Sequence, residues 1–346
     1  MFALIASLAV VAAAPIPDRF AGGFIQLDMS NAHDPSSRLV QKEWGQVLAA
    51  MRKAEMTTVI IQRLAYRQED NGVDKEFDVL RPGEPDDAAE AILAEADRRG
   101  MSVFLGLWEA GLSDEAFADD SFLKDAEARS SALLERIKAH PAYTRHASFG
   151  GWYLPVETWN FKETGSETQR IRDCYLAPLA RKCKDVADRP VAFSCYFNPD
   201  VSKYANPART ATTYANVLKD IKVDIILPQD GIGAFGHSAG DCKAYFKAYK
   251  DACGASGVKP WAVLECFTRG VDGAGFPCRA PRLVGQFDNA HGLAEAFIAF
   301  DFFHYMNPNA YNWASGEEIE TLCAGGSAAC RKCLFDGYLR LITTGP

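Results

Sequence analysis

The sequence lacks most of the signals that would point to a metal, a nucleotide or a nucleic acid. Its 346 residues include only six histidines, and these do not have the spacing of ligands to one metal ion. It contains no long run of lysine or arginine, and its net charge of −8 leaves no basic face for phosphate groups. We therefore expect no metal, no cofactor and no nucleic-acid partner.

The N-terminal segment contains no charged side chain. The segment from Met1 to Ala14 is apolar or small throughout. It is shorter than the about 20 apolar residues that cross a bilayer, and it ends in small residues like those beside signal-peptidase sites. Cleavage after Ala13 fits better than cleavage before Pro15. The sequence predicts a signal peptide over residues 1–14 and a secreted or lumenal protein without a membrane span; the alternative is an apolar strand packed beneath the fold.

Cysteine is missing from the first half of the chain. All ten cysteines lie between Cys174 and Cys333, and an even count in an exported protein indicates disulfides. Their pairing stays open, with a bond between Cys266 and Cys278, or between Cys323 and a neighbour, as examples. The Cys330-Arg-Lys-Cys333 spacing also suits a redox or zinc pair, but no second pair of this kind supports zinc.

Short apolar runs and amphipathic helical segments alternate eight times, without a Pro-, Gly- or Ser-rich linker. The runs are nearly continuous, which is typical of strands buried on both faces of a parallel sheet. The predicted strands are Gly23–Asp28, Thr57–Leu64, Ser102–Trp108, Ser148–Val156, Pro190–Tyr196, Val223–Leu227, Pro260–Leu264 and Ala296–Tyr305. This pattern predicts an α/β protein, a single-domain (β/α)8 TIM barrel over residues 15–346 with a cysteine-rich C-terminal segment.

Two further observations support this fold. Residues over Glu43–Glu55, Asp86–Arg99 and Ser121–His140 are apolar at helical spacing, and Asn206-Pro207 and Ser238 mark the starts of later helices. A doubly wound sheet is disfavoured, because such a sheet normally has a Gly-rich phosphate-binding turn after its first strand. The residues at the end of the first predicted strand here, Gln26-Leu27-Asp28-Met29, do not form a motif of this kind.

Each predicted strand is followed by polar side chains. In a (β/α)8 barrel the residues just beyond the carboxyl ends of the strands converge on one mouth, where active sites lie. The residues at these positions are Asp28, Gln62, Glu109, Glu157, Asn198, Gln229, Asp230, Glu265 and Asn307. We expect them to line one pocket, in which the residues other than the catalytic pair bind hydroxyl groups or orient the carboxylates.

Glu157 and Glu265 are the strongest catalytic candidates, at the ends of the fourth and seventh predicted strands. Glycoside hydrolysis needs one carboxylic acid to protonate the leaving oxygen and a second carboxylate as nucleophile or base. The placement resembles that of barrel glycosidases of clan A, which implies that Glu157 is the acid/base and Glu265 the nucleophile of a retaining enzyme. The sequence departs from that group at Val156, where an asparagine usually precedes the acid.

Glu109 and Asp230 remain alternative carboxylates. If Glu157 acts together with Asp230, a wider separation between the carboxyl groups and inversion at the reacting carbon are expected.

Aromatic residues near the strand ends favour a carbohydrate substrate, because sugar rings present flat C–H faces that stack on aromatic rings. Trp159 and Trp313 lie in polar segments and are predicted to stack on sugar. Trp108 and Tyr196 are predicted to line the same site, although Tyr196 suits a barrel core equally well, and Trp152 is expected to be a core residue. Phe235 and Tyr311 are two further aromatics of this group.

The chain as a whole resembles a glycosidase-like barrel family, DUF4434, a domain of unknown function. The resemblance spans about residues 22–313 and rests on Trp44 and on four strings: Gly23-Phe24-Ile25-Gln26, Val59-Ile60-Ile61-Gln62, Gly151-Trp152-Tyr153-Leu154-Pro155-Val156-Glu157 and Leu227-Pro228-Gln229-Asp230-Gly231-Ile232-Gly233. It implies a (β/α)8 fold and a role in acting on glycans.

The sequence therefore predicts a secreted glycoside hydrolase that cleaves O-glycosyl bonds of a polysaccharide or glycoconjugate with two carboxylates. The alternative is a carbohydrate-binding barrel without catalysis. A secreted barrel with a structural or adhesive role is a third hypothesis.

Overall fold

The computed structural model describes residues 18–28, 39, 41–70, 73–109, 119–161, 167–254, 256–270, 275–309 and 326–344. The predicted signal peptide and the predicted site residue Trp313 lie outside the described residues.

Eight parallel strands form a closed barrel, as the sequence predicts. The described residues contain the strands β1 (Phe20–Ile25), β2 (Thr58–Ile61), β3 (Ala65–Asp70), β4 (Val73–Asp78), β5 (Ser102–Gly106), β6 (Trp108–Glu109), β7 (Phe149–Thr158), β8 (Val191–Cys195), β9 (Ile225–Pro228), β10 (Lys259–Glu265), β11 (Phe267–Arg269), β12 (Gly275–Pro277) and β13 (Ala296–Phe300). Around the barrel the order is β1-β13-β10-β9-β8-β7-β5-β2. The prediction of a single-domain (β/α)8 barrel is confirmed.

Helices connect the barrel strands and cover the outside of the barrel. In the described part of the chain the α-helices are α1 (Gln41–Lys53), α2 (Ala88–Arg99), α3 (Asp120–Ala139), α4 (Ala142–Arg145), α5 (Glu167–Ile171), α6 (Ala177–Val186), α7 (Pro207–Val217), α8 (Ile232–Phe235), α9 (Ala239–Cys253), α10 (Ala280–Ala290) and α11 (Gly326–Thr344), and a π-helical segment, Arg172–Leu176, joins α5 to α6. The predicted caps are confirmed, because Asn206 accepts from the amide of Arg209 and Ser238 from that of Asp241. None of these helices is long and apolar enough to cross a membrane.

Two apolar layers stabilise the barrel. The inner layer fills its interior with Phe24, Ile60, Phe104, Tyr153, Ala192, Ile225, Leu227, Val263 and Ile298. The outer layer lies between strands and helices and includes Trp44, Trp152 and Phe303, all fully buried. Because both faces of each strand are covered, the strands need apolar residues on both faces, which explains their continuous apolar runs. Trp152 is therefore a core residue, as predicted.

The predicted eighth strand, Ala296–Tyr305, is too long. The strand ends at Phe300, because the side chain of buried Asp301 accepts a hydrogen bond from the amide of His304 and starts a π-helical segment, Phe302–Met306. The sequence analysis also missed the antiparallel hairpin of β3 and β4, which pairs with β6 beside the mouth. Its strands consist mostly of polar and charged residues, unlike the buried runs of the barrel.

The bond between Cys266 and Cys278, given above as one example of a pairing, is not formed. Both residues are buried free thiols, although the amide of Cys278 donates to the carbonyl of Cys266 at 2.8 Å. Cys330 is disulfide-bonded, whereas Cys333 is an exposed free thiol, and Cys323 lies outside the described residues. Cys266 and Cys278 therefore stay reduced because of where their side chains lie at this hairpin, although their spacing in the sequence would allow a bond.

An ion pair at the amino-terminal end of the barrel strands, opposite the mouth, makes the free energy of unfolding depend on pH. The His146 ring lies 2.6 Å from Asp97 Oδ2 and 2.9 Å from Glu90 Oε1, and so ties the chain before β7 to α2. Burial lowers the pKa of His146, but the hydrogen bonds and charges of Asp97 and Glu90 outweigh this effect and raise the pKa above its ordinary value.

We expect His146→Gln to lower the free energy of unfolding by about 1 kcal/mol at pH 6 and by less at pH 8. A raised folded-state pKa stabilises the protein fully below the unfolded-state pKa, and this stabilisation is lost as the pH rises through the folded-state pKa. Urea denaturation at several pH values measures the difference. A loss that stays constant from pH 6 to pH 8 would contradict this role, and His140→Gln, at the exposed end of α3, is the control.

Candidate active site

The structure places the predicted site residues at or just after the carboxyl ends of the barrel strands. Asp28 follows β1 and Gln62 follows β2, while Trp108 and Glu109 follow β5. The remaining described members are distributed over the next five barrel strands: Glu157 and Trp159 at β7, Tyr196 and Asn198 after β8, Gln229 and Asp230 after β9, Glu265 ending β10, and Asn307 after β13. The residues therefore occupy one end of the barrel.

Glu157 lies in a polar group on one side of this mouth. The side-chain amide of Gln229 donates to Glu157 Oε1 at 2.8 Å. Burial raises the pKa of Glu157 above its ordinary value, the bond from Gln229 partly opposes this, and the charge of Glu109 raises the pKa further. Glu157 is thus a carboxyl group that holds its proton to higher pH than an exposed glutamate does.

Glu109 is anchored as a carboxylate next to Glu157. It forms an ion pair with Arg63, and its Oε1 accepts a hydrogen bond from Gln62 Nε2 at 3.1 Å. The Arg63 guanidinium lies over the Tyr66 ring at 4.2 Å, and the Tyr66 hydroxyl donates to Asp28 Oδ1 at 3.0 Å. These contacts connect the ends of β1, β2 and β5 and hold the charge of Glu109 in place.

This arrangement predicts that Glu109→Gln lowers the pKa of Glu157. The substitution removes the negative charge that raises this pKa and removes the ion-pair partner of Arg63. NMR titration of the Glu157 side-chain carboxyl carbon measures the shift directly, with Glu135→Gln on the exposed face of α3 as the control. An unchanged or higher pKa in the Glu109 variant would mean that the two carboxyl groups do not interact.

Asp230 and Glu265 form a second group, which is more deeply buried. Their exposed fractions are 1% and 3%. Asp230 Oδ1 accepts from the amides of Glu265 and Ile232 at 3.2 and 3.3 Å, and Asp230 Oδ2 accepts from Gln286 Nε2 at 2.5 Å. Glu265 Oε2 accepts from the amide of Ala234 in α8 at 2.7 Å. Three of these four hydrogen bonds come from backbone amides, and the fourth comes from the Gln286 side chain.

Burial is the main cause of the raised pKa values in this second group. It raises the pKa of Asp230, and together with the charge of Asp230 it raises the pKa of Glu265 well above its ordinary value. Hydrogen bonds from the amides of Ala234 and Gly233 favour the ionised form of Glu265 and partly oppose the shift. Like charges in a buried pair resist simultaneous ionisation, so the two carboxyl groups hold one negative charge more readily than two.

Two consecutive residues at the end of β9 connect the two groups. Gln229 bonds to Glu157, and Asp230 bonds to the backbone of Glu265. The amide of Asp230 in turn donates to the carbonyl of Val263 in β10 at 3.1 Å. The mouth therefore contains three carboxyl groups of raised pKa: Glu157, which bonds to Gln229, and the neighbouring Asp230 and Glu265.

Gln62 and Asn307 each carry a buried polar atom that has no partner among the described residues. The exposed fractions of these residues are 5% and 1%, and Gln62 Oε1 and Asn307 Nδ2 make no hydrogen bond within the described part of the chain. Asn307 Oδ1, by contrast, accepts from the amide and the side chain of Asn309. The side-chain oxygen of Asn198 already has a partner, because it accepts a hydrogen bond from the amide of Asp200 in a local turn.

The predicted aromatic residues differ in how far they can reach a ligand. Trp108 is 4% exposed, with Arg67 and Arg129 over its ring at 5.7 and 5.2 Å. Trp159 is 5% exposed and packs against Phe161 and Tyr196, with ring centroids 4.3 and 5.5 Å away. Tyr196 is partly buried. The rings of Trp108 and Trp159 thus support the walls of the mouth.

Three residues of the site were missed by the sequence analysis. Arg63 directly follows Gln62, so the strand-end pattern could have identified it. Tyr66 lies in the unpredicted hairpin, and Gln286 lies in α10, where no sequence pattern connects it to Asp230.

A serine motif in the chain was also overlooked. The string Gly236-His237-Ser238-Ala239-Gly240 has the G-x-S-x-G spacing of a nucleophile elbow. Ser238 instead caps α9: its hydroxyl donates to Asp241 Oδ2 at 2.6 Å and accepts from the amide of Asp241. A nucleophile elbow joins a strand directly to a helix, whereas α8 separates Ser238 from β9.

Comparison with known proteins gives a family and a fold. A family model described as domain of unknown function (DUF4434) matches residues 20–312. No curated protein matches the sequence significantly. Among solved structures, the chain is similar to a candidate alpha-L-fucosidase from Bacteroides thetaiotaomicron VPI-5482, with 18% identity, a TM-score of 0.71 and full coverage of both chains.

Two more distant structures share the barrel. One is an endo-beta-1,4-mannanase from Thermotoga petrophila, with 12% identity, a TM-score of 0.53 and coverage of 95% of this chain and 77% of that chain. The other is a xylanase from Paenibacillus barcinonensis, with 11% identity, a TM-score of 0.51 and coverage of 94% and 99%. At these identities the comparison shows the fold, a barrel shared with glycoside hydrolases.

Proposed function

The chain belongs to the DUF4434 family, and from this premise we propose that it is a glycoside hydrolase whose catalytic carboxyl groups are Glu157 and Glu265. The observation that carries the proposal is the pair of carboxyl groups with raised pKa at the ends of β7 and β10. Gln229 donates to the Glu157 carboxyl group, and the backbone amide of Glu265 donates to Asp230. The similarity of the fold to barrel glycosidases supports the same reaction class.

In this mechanism Glu157 is the proton donor. Its raised pKa favours the protonated form more than in an exposed glutamate, and the protonated group can transfer its proton to the glycosidic oxygen as the bond to the sugar carbon breaks. The leaving group departs as a neutral alcohol. After transfer Glu157 is a carboxylate, which can accept a proton from the attacking water in the second step.

Glu265 supplies the negative charge opposite the leaving group. When Glu265 is ionised, the amides of Ala234 and Gly233 stabilise its carboxylate. Its carboxylate forms a covalent bond to the sugar carbon, and water then releases the sugar with retention. Asp230 is a positioning residue in this proposal, because all its contacts are with the protein interior.

A carbohydrate-binding barrel without catalysis is the second candidate. It is favoured by the 3% exposed fraction of Glu265, which limits how closely a sugar carbon can approach its carboxylate in this conformation. Such a protein would use the same mouth and bind glycans without turnover. In both cases the exported location remains a prediction from the N-terminal sequence.

The test is a screen of the purified protein against mannohexaose, xylohexaose, cellohexaose, 2′-fucosyllactose and hexagalacturonate, with products separated by chromatography. We expect cleavage of at least one oligosaccharide by the wild type and none by the double variant Glu157→Gln, Glu265→Gln. Equal cleavage by both would overturn the assignment of the site. Binding without cleavage would support the second candidate, and neither binding nor cleavage would reject both.

A further inference from the structure

Phe235 is an apolar side chain that the fold leaves in solvent at the mouth. Its exposed fraction is 60%, and among the described residues Val201 is the one other large apolar side chain that is exposed to this degree. A single exposed apolar residue needs no special explanation. Phe235 differs because its ring belongs to an ordered set of rings next to Glu265.

The Phe235 ring lies nearly parallel to two neighbours. The Tyr196 ring centroid is 6.2 Å away with an interplanar angle of 24°, and that of His237 is 5.5 Å away at 22°. We call Tyr196, Phe235 and His237 the aromatic shelf. Trp159 supports the shelf from the protein side, 5.5 Å from Tyr196. The shelf thus consists of rings of similar orientation, with its most exposed member at the rim.

The backbone around Phe235 is held rigidly beside Glu265. The amide of the preceding residue, Ala234, donates to Glu265 Oε2 at 2.7 Å. Gly231 and Gly236, on either side of α8, have φ values of 62° and 70°, in the left-handed region that favours glycine. Ala234, which holds the Glu265 carboxylate, and Phe235, which carries the ring, are adjacent in the chain. The segment that carries the ring therefore also holds the carboxylate.

The electrostatics of the shelf suit an uncharged ligand. Burial lowers the pKa of His237, so its ring is neutral at neutral pH. Two arginines lie beside the carboxylates of the mouth, and both are engaged: Arg63 pairs with Glu109, and Arg282 donates to the carbonyls of Glu265 and Phe267. A carboxylated sugar would meet these acidic groups, whereas a neutral sugar can place its C–H face on the rings.

We propose that the aromatic shelf is a binding subsite for the apolar face of a neutral sugar ring, positioned next to Glu265. This inference rests on the proposed function, because it assigns the shelf to the substrate of that site. An aromatic ring buries a large apolar area and so contributes mainly to binding rather than to the chemical step. The shelf is therefore expected to set which sugar the mouth accepts and where its ring lies.

The test compares Phe235→Ala with the rescue variant Phe235→Trp and the matched control Val201→Ala. Binding of the five oligosaccharides of the screen is measured by calorimetry in the Glu157→Gln background, and KM and kcat are measured in the Glu157 enzyme. We expect Phe235→Ala to raise the Kd of a neutral oligosaccharide and the KM about tenfold, with kcat within about twofold. Phe235→Trp restores both, and Val201→Ala changes neither.

The outcomes separate the two proposals. Cleavage by the wild type with an unchanged Kd in Phe235→Ala would overturn the subsite and leave the proposed function standing. Tighter binding of hexagalacturonate than of every neutral oligosaccharide would overturn the assignment of a neutral sugar. If no oligosaccharide is bound or cleaved by the wild type, the proposed function and the subsite both fail.

Discussion

Replacing Glu157 with glutamine is expected to lower kcat about a thousandfold, because the variant cannot protonate the leaving oxygen. A positioned general acid typically contributes about two to four orders of magnitude to the rate. Glutamine keeps the shape of the side chain and can still accept the hydrogen bond from Gln229. Steady-state kinetics on the oligosaccharide that the screen identifies measure this effect, and a variant that retains a tenth of the wild-type kcat would exclude Glu157 as the proton donor.

The stability of the same variant distinguishes loss of chemistry from loss of fold. A buried carboxyl group with a raised folded-state pKa destabilises the protein increasingly as the pH rises above the unfolded-state pKa. A neutral isostere removes this effect, so the variant should unfold at the same temperature as the wild type, or slightly higher, at pH 7. Glu135→Gln, far from the mouth on α3, is the matched control for both measurements.

The second large effect is expected for Gly233→Ala in α8. A Cβ atom at this position would lie 2.1 Å from the carbonyl oxygen of Phe267 and 3.0 Å from Glu265 Oε2. The carbonyl is backbone and cannot rotate away, so α8 must move and the hydrogen bond from Ala234 to Glu265 is disturbed. We expect a loss of about 3 kcal/mol in the free energy of unfolding and about a hundredfold loss of activity.

Gly240→Ala is the control for this prediction. Gly240 lies nearby in α9, and its added Cβ would meet the Ser238 hydroxyl at 3.9 Å, an ordinary contact. This variant should be as stable as the wild type or more stable, because alanine favours the helix. Denaturation curves and kinetics of both variants are compared. A Gly233→Ala protein with wild-type stability and activity would show that the position of α8 is not needed to hold Glu265.

Much of the barrel could be predicted from sequence, because a parallel strand covered on both faces must be apolar along its length. The runs that form β2, β5 and β10 fall within one to three residues of their predicted bounds. The prediction failed where a polar side chain ended a strand: Phe302–Met306 is apolar enough to extend β13, but Asp301 bonds to the following amide and starts a π-helical segment.

The sequence placed the catalytic candidates at strand ends, but it did not show which groups surround them. Glu157 and Glu265 have the same local pattern, a glutamate after an apolar run. Their differences arise from residues far along the chain: Glu109 acts on Glu157, and Ala234 and Asp230 act on Glu265. Such contacts depend on which loops meet at the mouth, and one sequence does not contain that information.

By itself, the sequence determined that the chain is a (β/α)8 barrel and that carboxylates and amides follow its strands, since the continuous apolar runs and the polar residues after them are local features of the sequence. Only the tertiary structure decided that Trp108 and Trp159 are buried supports, that Phe235 is the exposed ring, and that Glu157 and Glu265 belong to separate polar groups. Exposure and pKa depend on packing between distant segments, and this packing exists only once the barrel has closed.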